Sequence, residues 1–200
     1  MAIFKYGRAE LEYLKQRDQQ LGLAIDRIGP VEREVIPDLF AALVNSIVSQ
    51  QISAPAAATV WGRMRERFGV IEPPAIAAAT VAEIQQCGLS NRKAGYIKGI
   101  AESVAGGGLD LPGLAGLPDA EIIGRLVKLK GVGRWTAEML LIFSLNRPDV
   151  VSWDDLAIRR GMINLYGLKT LTRARFERYR KRYSPYGSVA SLYLWAISKE

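Results

Sequence analysis

The sequence predicts an all-α fold, and three observations predict it. Apolar residues recur every three or four positions along most of the chain, helix start and stop signals bracket those stretches, and strand-like alternation is scarce. Phe40, Leu43, Val44, Ile47 and Val48 form the first clear stripe. A second, Ala57, Val60, Trp61, Met64 and Phe68, is opened by Ser53 with Pro55 and closed by Gly69, and Trp61 is read as core. Thr80 and Glu83 have capping-box spacing. Ser90 caps the next helix, whose stripe of Ile97, Ile100, Ala101 and Val104 runs into the triple glycine at 106–108. Ile122, Ile123, Leu126 and Leu129 form another stripe, and a further apolar helix starts near Arg134. Loops are expected at Glu72-Pro73-Pro74, from Gly106 to Pro118, and from Asn146 to Ser152. Two stretches, GLSNRKA from Gly88 and GVGRWTA from Gly131, echo each other faintly as glycine turns that open helices.

Composition narrows the chemistry. With 200 residues, 49% hydrophobic and 24% charged, the chain can build one substantial core or two small lobes. Charges run throughout the N-terminal stretch and no apolar run is long enough to span a bilayer, so the expectation is an intracellular protein without a membrane partner. Cys87 is the single cysteine, which excludes an intrachain disulfide and a four-cysteine metal site. Histidine is absent, so any catalysis must rest on carboxylates, lysines, tyrosines, amides or backbone. The net charge is +7, and Leu156–Glu200 alone carries 10 basic against 2 acidic residues, a net +8. Such a surface suits a polyanion, although the Arg-rich segment 173–182 also reads as a solvated helix face.

The segment Lys130-Gly131-Val132-Gly133-Arg134 joins two apolar helices. Glycines there tolerate positive φ and leave the backbone bare, while the following helix offers unpaired N–H groups and the positive end of its dipole, a combination suited to a phosphate. With Val132 as the apolar plug, about 122–145 reads as a helix-hairpin-helix, with an ordinary tight turn as the alternative. Downstream, beyond Pro148, stands the acidic pair Asp154-Asp155 in WDDLAIRR.

The blocks IVSQQIS, GLSNRKAGYI, LKGVGRWTAEMLL, RPDVVSWDDLAIRRG and YSPYGSVASLYLW, in that order over roughly 43–195, resemble the helix-hairpin-helix DNA glycosylases, most closely the 3-methyladenine DNA glycosylase II type. The resemblance implies two helical lobes: residues 33–145 with the hairpin, and residues 1–32 plus 146–200 with a catalytic aspartate, the active site lying in the cleft between them. It also implies that the extra N-terminal domain of some relatives is missing. Asp155 matches the catalytic register, with an aliphatic residue three positions on (Ile158) and a basic one five on (Arg160). Asp154 does not match it and is expected to be the helix cap, while Arg159 belongs to the basic surface.

The carried-over roles follow from the chemistry. An N-glycosidic bond breaks through a sugar cation, which one carboxylate can stabilise. A base alkylated on a ring nitrogen is already cationic and leaves without a proton donor, so histidine is dispensable. Relatives that also cleave the strand carry a lysine where this chain has Trp135, which implies base excision without strand cleavage. Trp135 and Trp195 are expected to wall the pocket of a flipped base, with Met139 at a position aromatic in some relatives and Trp153 facing the same pocket. Core packing is the alternative for Trp135, Trp195 and Met139. Gln51 is expected to fill the gap left by the flipped nucleotide; the alternative is that Gln50 and Gln51 bond to backbone at a helix end. Ser90 and Lys93 are a second candidate backbone contact or simply solvent-facing. Lys130 is read as an exposed or phosphate-facing charge. No catalytic cofactor is implied, only a structural monovalent cation between hairpin carbonyls and a DNA phosphate. The expected partner is duplex DNA carrying damaged bases, bound by a monomer. Excision of deaminated or oxidised bases, or damage binding without catalysis, are the competing readings.

Overall fold

The computed structural model describes residues 2–200. It separates into two compact units, one formed by the chain up to Val35 together with Leu141–Glu200, the other by Ile36–Leu140. The first division lies at Val35 and the second at Leu140, inside a helix, where the sequence suggested 33 and 145.

In the first unit, strand β1 (Ala2–Ile3) leads to helices α1 (Arg8–Arg17) and α2 (Gln19–Ile28), and strand β2 (Glu34–Val35) pairs antiparallel with β1, Ala2 opposite Val35. These two-residue strands are the only sheet among the described residues. The second unit holds α3 (Leu39–Ser49), α4 (Ala54–Phe68), α5 (Pro73–Ala78), α6 (Val81–Gln85), α7 (Asn91–Ala105), α8 (Leu111–Leu114), α9 (Asp119–Leu126) and the larger part of α10 (Arg134–Phe143). The first unit is completed by α11 (Leu156–Tyr166), α12 (Arg173–Tyr183) and α13 (Gly187–Ile197).

The start signals act as their chemistry requires. Ser53, Thr80 and Ser90 accept from the backbone N–H groups of Ala56, Glu83 and Lys93, and Glu83 reaches back to Thr80 N–H at 2.8 Å. Two expected loops are partly helical instead. Pro73 and Pro74 occupy the first turn of α5, where a missing N–H costs nothing, and Asp110 caps the short α8 inside the 106–118 stretch. The first stripe is buried throughout, whereas Trp61 is only half-buried on α4.

Within the first unit, α13 is largely apolar and buried from Gly187 to Leu194, packing against α11 and α2. Asp18, between α1 and α2, ties this unit together: it caps Leu21 N–H at 3.0 Å and accepts from Tyr166 Oη at 2.7 Å and from Arg182 at 3.0 Å. Tyr166 Oη also meets Tyr183 Oη at 2.7 Å, and burial pushes both phenols above their usual range.

Helix α11 approaches α13 so closely at Gly161 that a Cβ there would collide with the Leu194 carbonyl. Gly161→Ala is therefore expected to lower the unfolding free energy by about 1–3 kcal/mol, seen as a lower urea midpoint. Gly62, interior to α4 with open space around it, is the contrast: Gly62→Ala should raise stability by about 0.5–1 kcal/mol.

Candidate active site

The chain enters the acidic segment through a stretch that α13 holds in place. Ser188 Oγ donates to Arg147 O at 2.6 Å and accepts from Val150 N–H at 3.0 Å, and Ser191 Oγ donates to Val150 O at 2.9 Å. Asp149 accepts from Ser184 Oγ at 2.6 Å and from Gly187 N–H at 3.1 Å. Gly187 is needed here because a Cβ would lie 2.6 Å from Asp149 Oδ1. Asp149, Ser188 and Ser191 were missed as positioning residues. Their signal was two serines on one side of an otherwise apolar helix, since buried hydroxyls of that kind must find partners.

At the end of this stretch, Asp155 is the N-cap of α11. Its Oδ1 accepts from Ile158 N–H at 2.8 Å, and the residue is only 6% exposed. This corrects the expectation that Asp154 is the cap: α11 begins one residue later than that assignment requires, and Asp154 lies exposed before it. The cap explains the register. Ile158, whose N–H is held, is fully buried, whereas Arg160 is exposed. Arg159 is not merely surface, because it is half-buried with its guanidinium 4.9 Å from the Trp153 ring centroid.

Trp153 is half-buried and packed among side chains of its own unit. Two guanidinium groups, Arg159 and Arg173 at 4.9 and 5.0 Å, lie over its ring, and Phe176 meets it edge-on at 5.1 Å. Its π surface is thus engaged by the protein's own cations. Trp195, also in this unit, is half-buried and stacked on Phe143 at 5.4 Å.

The second unit carries the hairpin. Helix α9 ends at Leu126, Leu129 and Val132 close successive turns through their N–H groups, and α10 starts at Arg134. Val132 is buried, as a plug must be, while Gly133, Arg134 and Trp135 are exposed, Trp135 at 40%. Gly131 is required twice over: its φ is +87°, and a Cβ would run into the Tyr96 ring. Arg134 Nε pairs with Glu138 at 2.9 Å, yet the arginine side chain remains 62% exposed. Lys130 is exposed at the same turn. Met139 is buried at 8% exposure, as a core side chain would be.

The two glutamines divide the roles considered for them. Gln50 Nε2 donates to Gly131 O at 2.9 Å and so braces the hairpin, whereas Gln51 is exposed at φ +56°. Positive φ in a residue other than glycine, asparagine or aspartate is a strained conformation that clusters at functional sites. Lys93 is half-buried and engages backbone: its Nζ donates to Val48 O at 2.9 Å and to Gln50 O at 2.6 Å, capping the C-terminus of α3, and burial lowers its pKa. The glycine echo is real in backbone terms, since Gly88 and Gly131 both have positive φ three residues before a helix.

Comparison with known proteins follows the same blocks. Residues 44–185 match the family described as HhH-GPD superfamily base excision DNA repair protein. The DNA-3-methyladenine glycosylase 1 of Schizosaccharomyces pombe is 38% identical over 165 residues, 80% of this chain and 72% of that protein. A solved DNA-3-methyladenine glycosidase from Bacillus halodurans superimposes with a TM-score of 0.86 at 35% identity, covering 99% of this chain and 93% of that one. The solved S. pombe 3-methyladenine DNA glycosylase in complex with abasic DNA gives 0.85 at 31% identity, covering 96% and 98%.

The cap geometry separates folding from chemistry at Asp155. Asparagine caps a helix as well as aspartate does, so Asp155→Asn should stay within about 0.5 kcal/mol of the parent, whereas Asp155→Ala should lose about 1 kcal/mol, measured by urea denaturation.

Proposed function

Because this chain belongs to the HhH-GPD superfamily of base excision DNA repair proteins, we propose that it is a monofunctional DNA glycosylase of the 3-methyladenine type II class, which releases alkylated bases from duplex DNA. The observation that carries this reading is the buried Asp155 carboxylate, aimed by the Ile158 N–H at the start of α11.

The reaction needs little beyond such a carboxylate. As the bond between sugar C1′ and the base nitrogen breaks, its electron pair leaves with the base and neutralises the alkylated ring. Asp155 stabilises the positive charge left on the sugar, and water adds to C1′ while its proton passes to the carboxylate or to solvent. The products are a free base and an abasic site. Trp135 offers an exposed indole face to a cationic flipped base, and its identity supports the absence of strand cleavage, because no amine stands there to form a Schiff base. Trp195 is a further base-contacting candidate, while a base at Trp153 would compete with the two arginines over its ring. Gln51, at the exposed crest of its turn, fills the gap in the stack.

Hairpin contact with phosphate uses the backbone of Gly131, Val132 and Gly133 with the α10 N-terminus, assisted by Lys130 and Arg134. The chain binds as a monomer. Among the described residues no cluster of acidic, cysteine or histidine side chains could hold a metal. The donors at the hairpin are backbone carbonyls, of which that of Gly131 already accepts from Gln50. Neutral oxygen donors of that kind fit a monovalent cation, which would help to hold a phosphate at the turn; base release is not routed through it.

Incubation with methylated duplex DNA should release free 3-methyladenine, and Asp155→Asn should slow release by about 100- to 1,000-fold while DNA binding persists. Release by Asp155→Asn at the parental rate would refute the catalytic assignment, and binding of damaged DNA by the parent without release of any base would favour a damage-binding module. Borohydride added during turnover should trap no covalent protein–DNA adduct; a trapped adduct would overturn the monofunctional reading.

A further inference from the structure

Helix α12 carries charge in places where its own structure disfavours it. Its first turn holds Arg173 and Arg175 and no acidic residue, which sets two cations at the positive end of the helix dipole. The helix has one carboxylate, Glu177, and Arg173 takes it at 2.9 Å. Arg182 is committed to the buried Asp18.

Four cations remain, of which Arg180 is half-buried. Arg175, Arg178 and Lys181 are exposed, and among the described residues no carboxylate pairs with them. Their spacing of three residues places them along one ridge, spanning about 9 Å of helix axis. The ridge lies opposite the buried face formed by Phe176 and Tyr183. Like charges three apart repel, so neither helix propensity nor pairing accounts for this ridge.

The distribution over the chain sharpens the point. Ile36–Leu140, which contains the hairpin, holds 10 basic and 9 acidic residues, a net +1, against +8 for Leu156–Glu200. Helix α12 also starts next to the acidic segment, since Arg173 and Phe176 both pack on Trp153, two residues before Asp155.

We propose that the Arg175, Arg178 and Lys181 ridge of α12 is a second DNA-backbone contact, which grips phosphates of the duplex flanking the damaged nucleotide. The proposal rests on the glycosylase reading, in which DNA is already the substrate. Guanidinium groups match phosphate oxygens in geometry as well as charge. A lipid surface is a poorer partner, because a helix lying in a membrane interface buries a large apolar side, and the apolar side of α12 is already buried in the protein. The contact is independent of sequence, so its signature is electrostatic.

The test is a salt titration of binding to a duplex of about 25 base pairs with a central abasic-site analogue, for the parent chain and for Arg175→Gln/Arg178→Gln/Lys181→Gln. Each phosphate neutralised contributes about 0.9 to the slope of log affinity against log salt, so the triple variant should lose between about 2 and 3 from that slope. Arg175→Lys/Arg178→Lys, which keeps the charge, should retain it, and this separates contact from misfolding. Equal slopes for parent and triple variant would overturn the proposal, leaving base release by the parent, and with it the glycosylase reading, intact. Unchanged DNA slopes together with triple-variant-sensitive binding to anionic phospholipid vesicles would assign the ridge to lipid instead. A parent chain that neither binds duplex nor releases a base would remove the glycosylase reading and this proposal together.

Discussion

The hydrogen bond from Ile158 N–H to Asp155 Oδ1, 2.8 Å long, fixes more of the first unit than any other polar contact at the acidic segment. It sets where α11 begins, and therefore which side of that helix carries Ile158 and Gly161 inward against α13. It also orients a carboxylate that is almost wholly shielded from water. An acid held only by its own rotamer would have to be ordered again at each encounter with substrate; a carboxylate already bonded to a helix N-terminus is ordered by folding itself. The approach to it is fixed with similar care, because Ser188 and Ser191 of α13 bind the preceding backbone at three points between 2.6 and 3.0 Å, and the Asp149 side chain is held by Ser184 Oγ and Gly187 N–H.

The second unit solves a comparable problem with turns instead of a cap. Lys93 satisfies carbonyls at the end of α3, which fixes the backbone of Gln50; the Gln50 side chain in turn reaches Gly131 in the hairpin. Partial burial of an ammonium costs desolvation, which lowers the pKa of Lys93, and two short bonds to carbonyls offset that cost. The result is that Gln51 can protrude at positive φ while the residues on its N-terminal side are held. Strain at one residue persists only when its neighbours over-determine it, and this is such a case.

Much of this was legible in the sequence, and the misses have a common cause. Stripes and caps such as Ser53, Thr80 with Glu83, and Ser90 depend on residues within a few positions of one another, so their spacing carries the information. The plug and glycines of the hairpin were legible for the same reason. What the sequence could not show were partners far apart along the chain. Lys93 looked like a surface cation because Val48 and Gln50 are more than forty residues away. The arginines over Trp153 were equally hidden, because Arg173 belongs to a different helix. The cap assignment to Asp154 failed differently: two adjacent acids satisfy the same local rule, and only the position of the first helical residue decides between them.

The near-neutral charge of the hairpin unit is consistent with how a hairpin binds. Backbone N–H groups and a helix dipole act over a few ångströms, within the first turn, and need no formal charge to hold a phosphate. Attraction at longer range does need it, since a duplex is sensed across roughly a Debye length, about 8–10 Å at physiological salt. A chain that must travel along undamaged DNA gains from keeping these two functions apart. Short-range donors fix register at a lesion, while mobile side-chain charges hold the duplex without fixing any register at all. On that logic Arg175, Arg178 and Lys181 belong on a surface helix, where no carboxylate holds their long side chains, and the rigidly bonded groups belong at the hairpin and at Asp155.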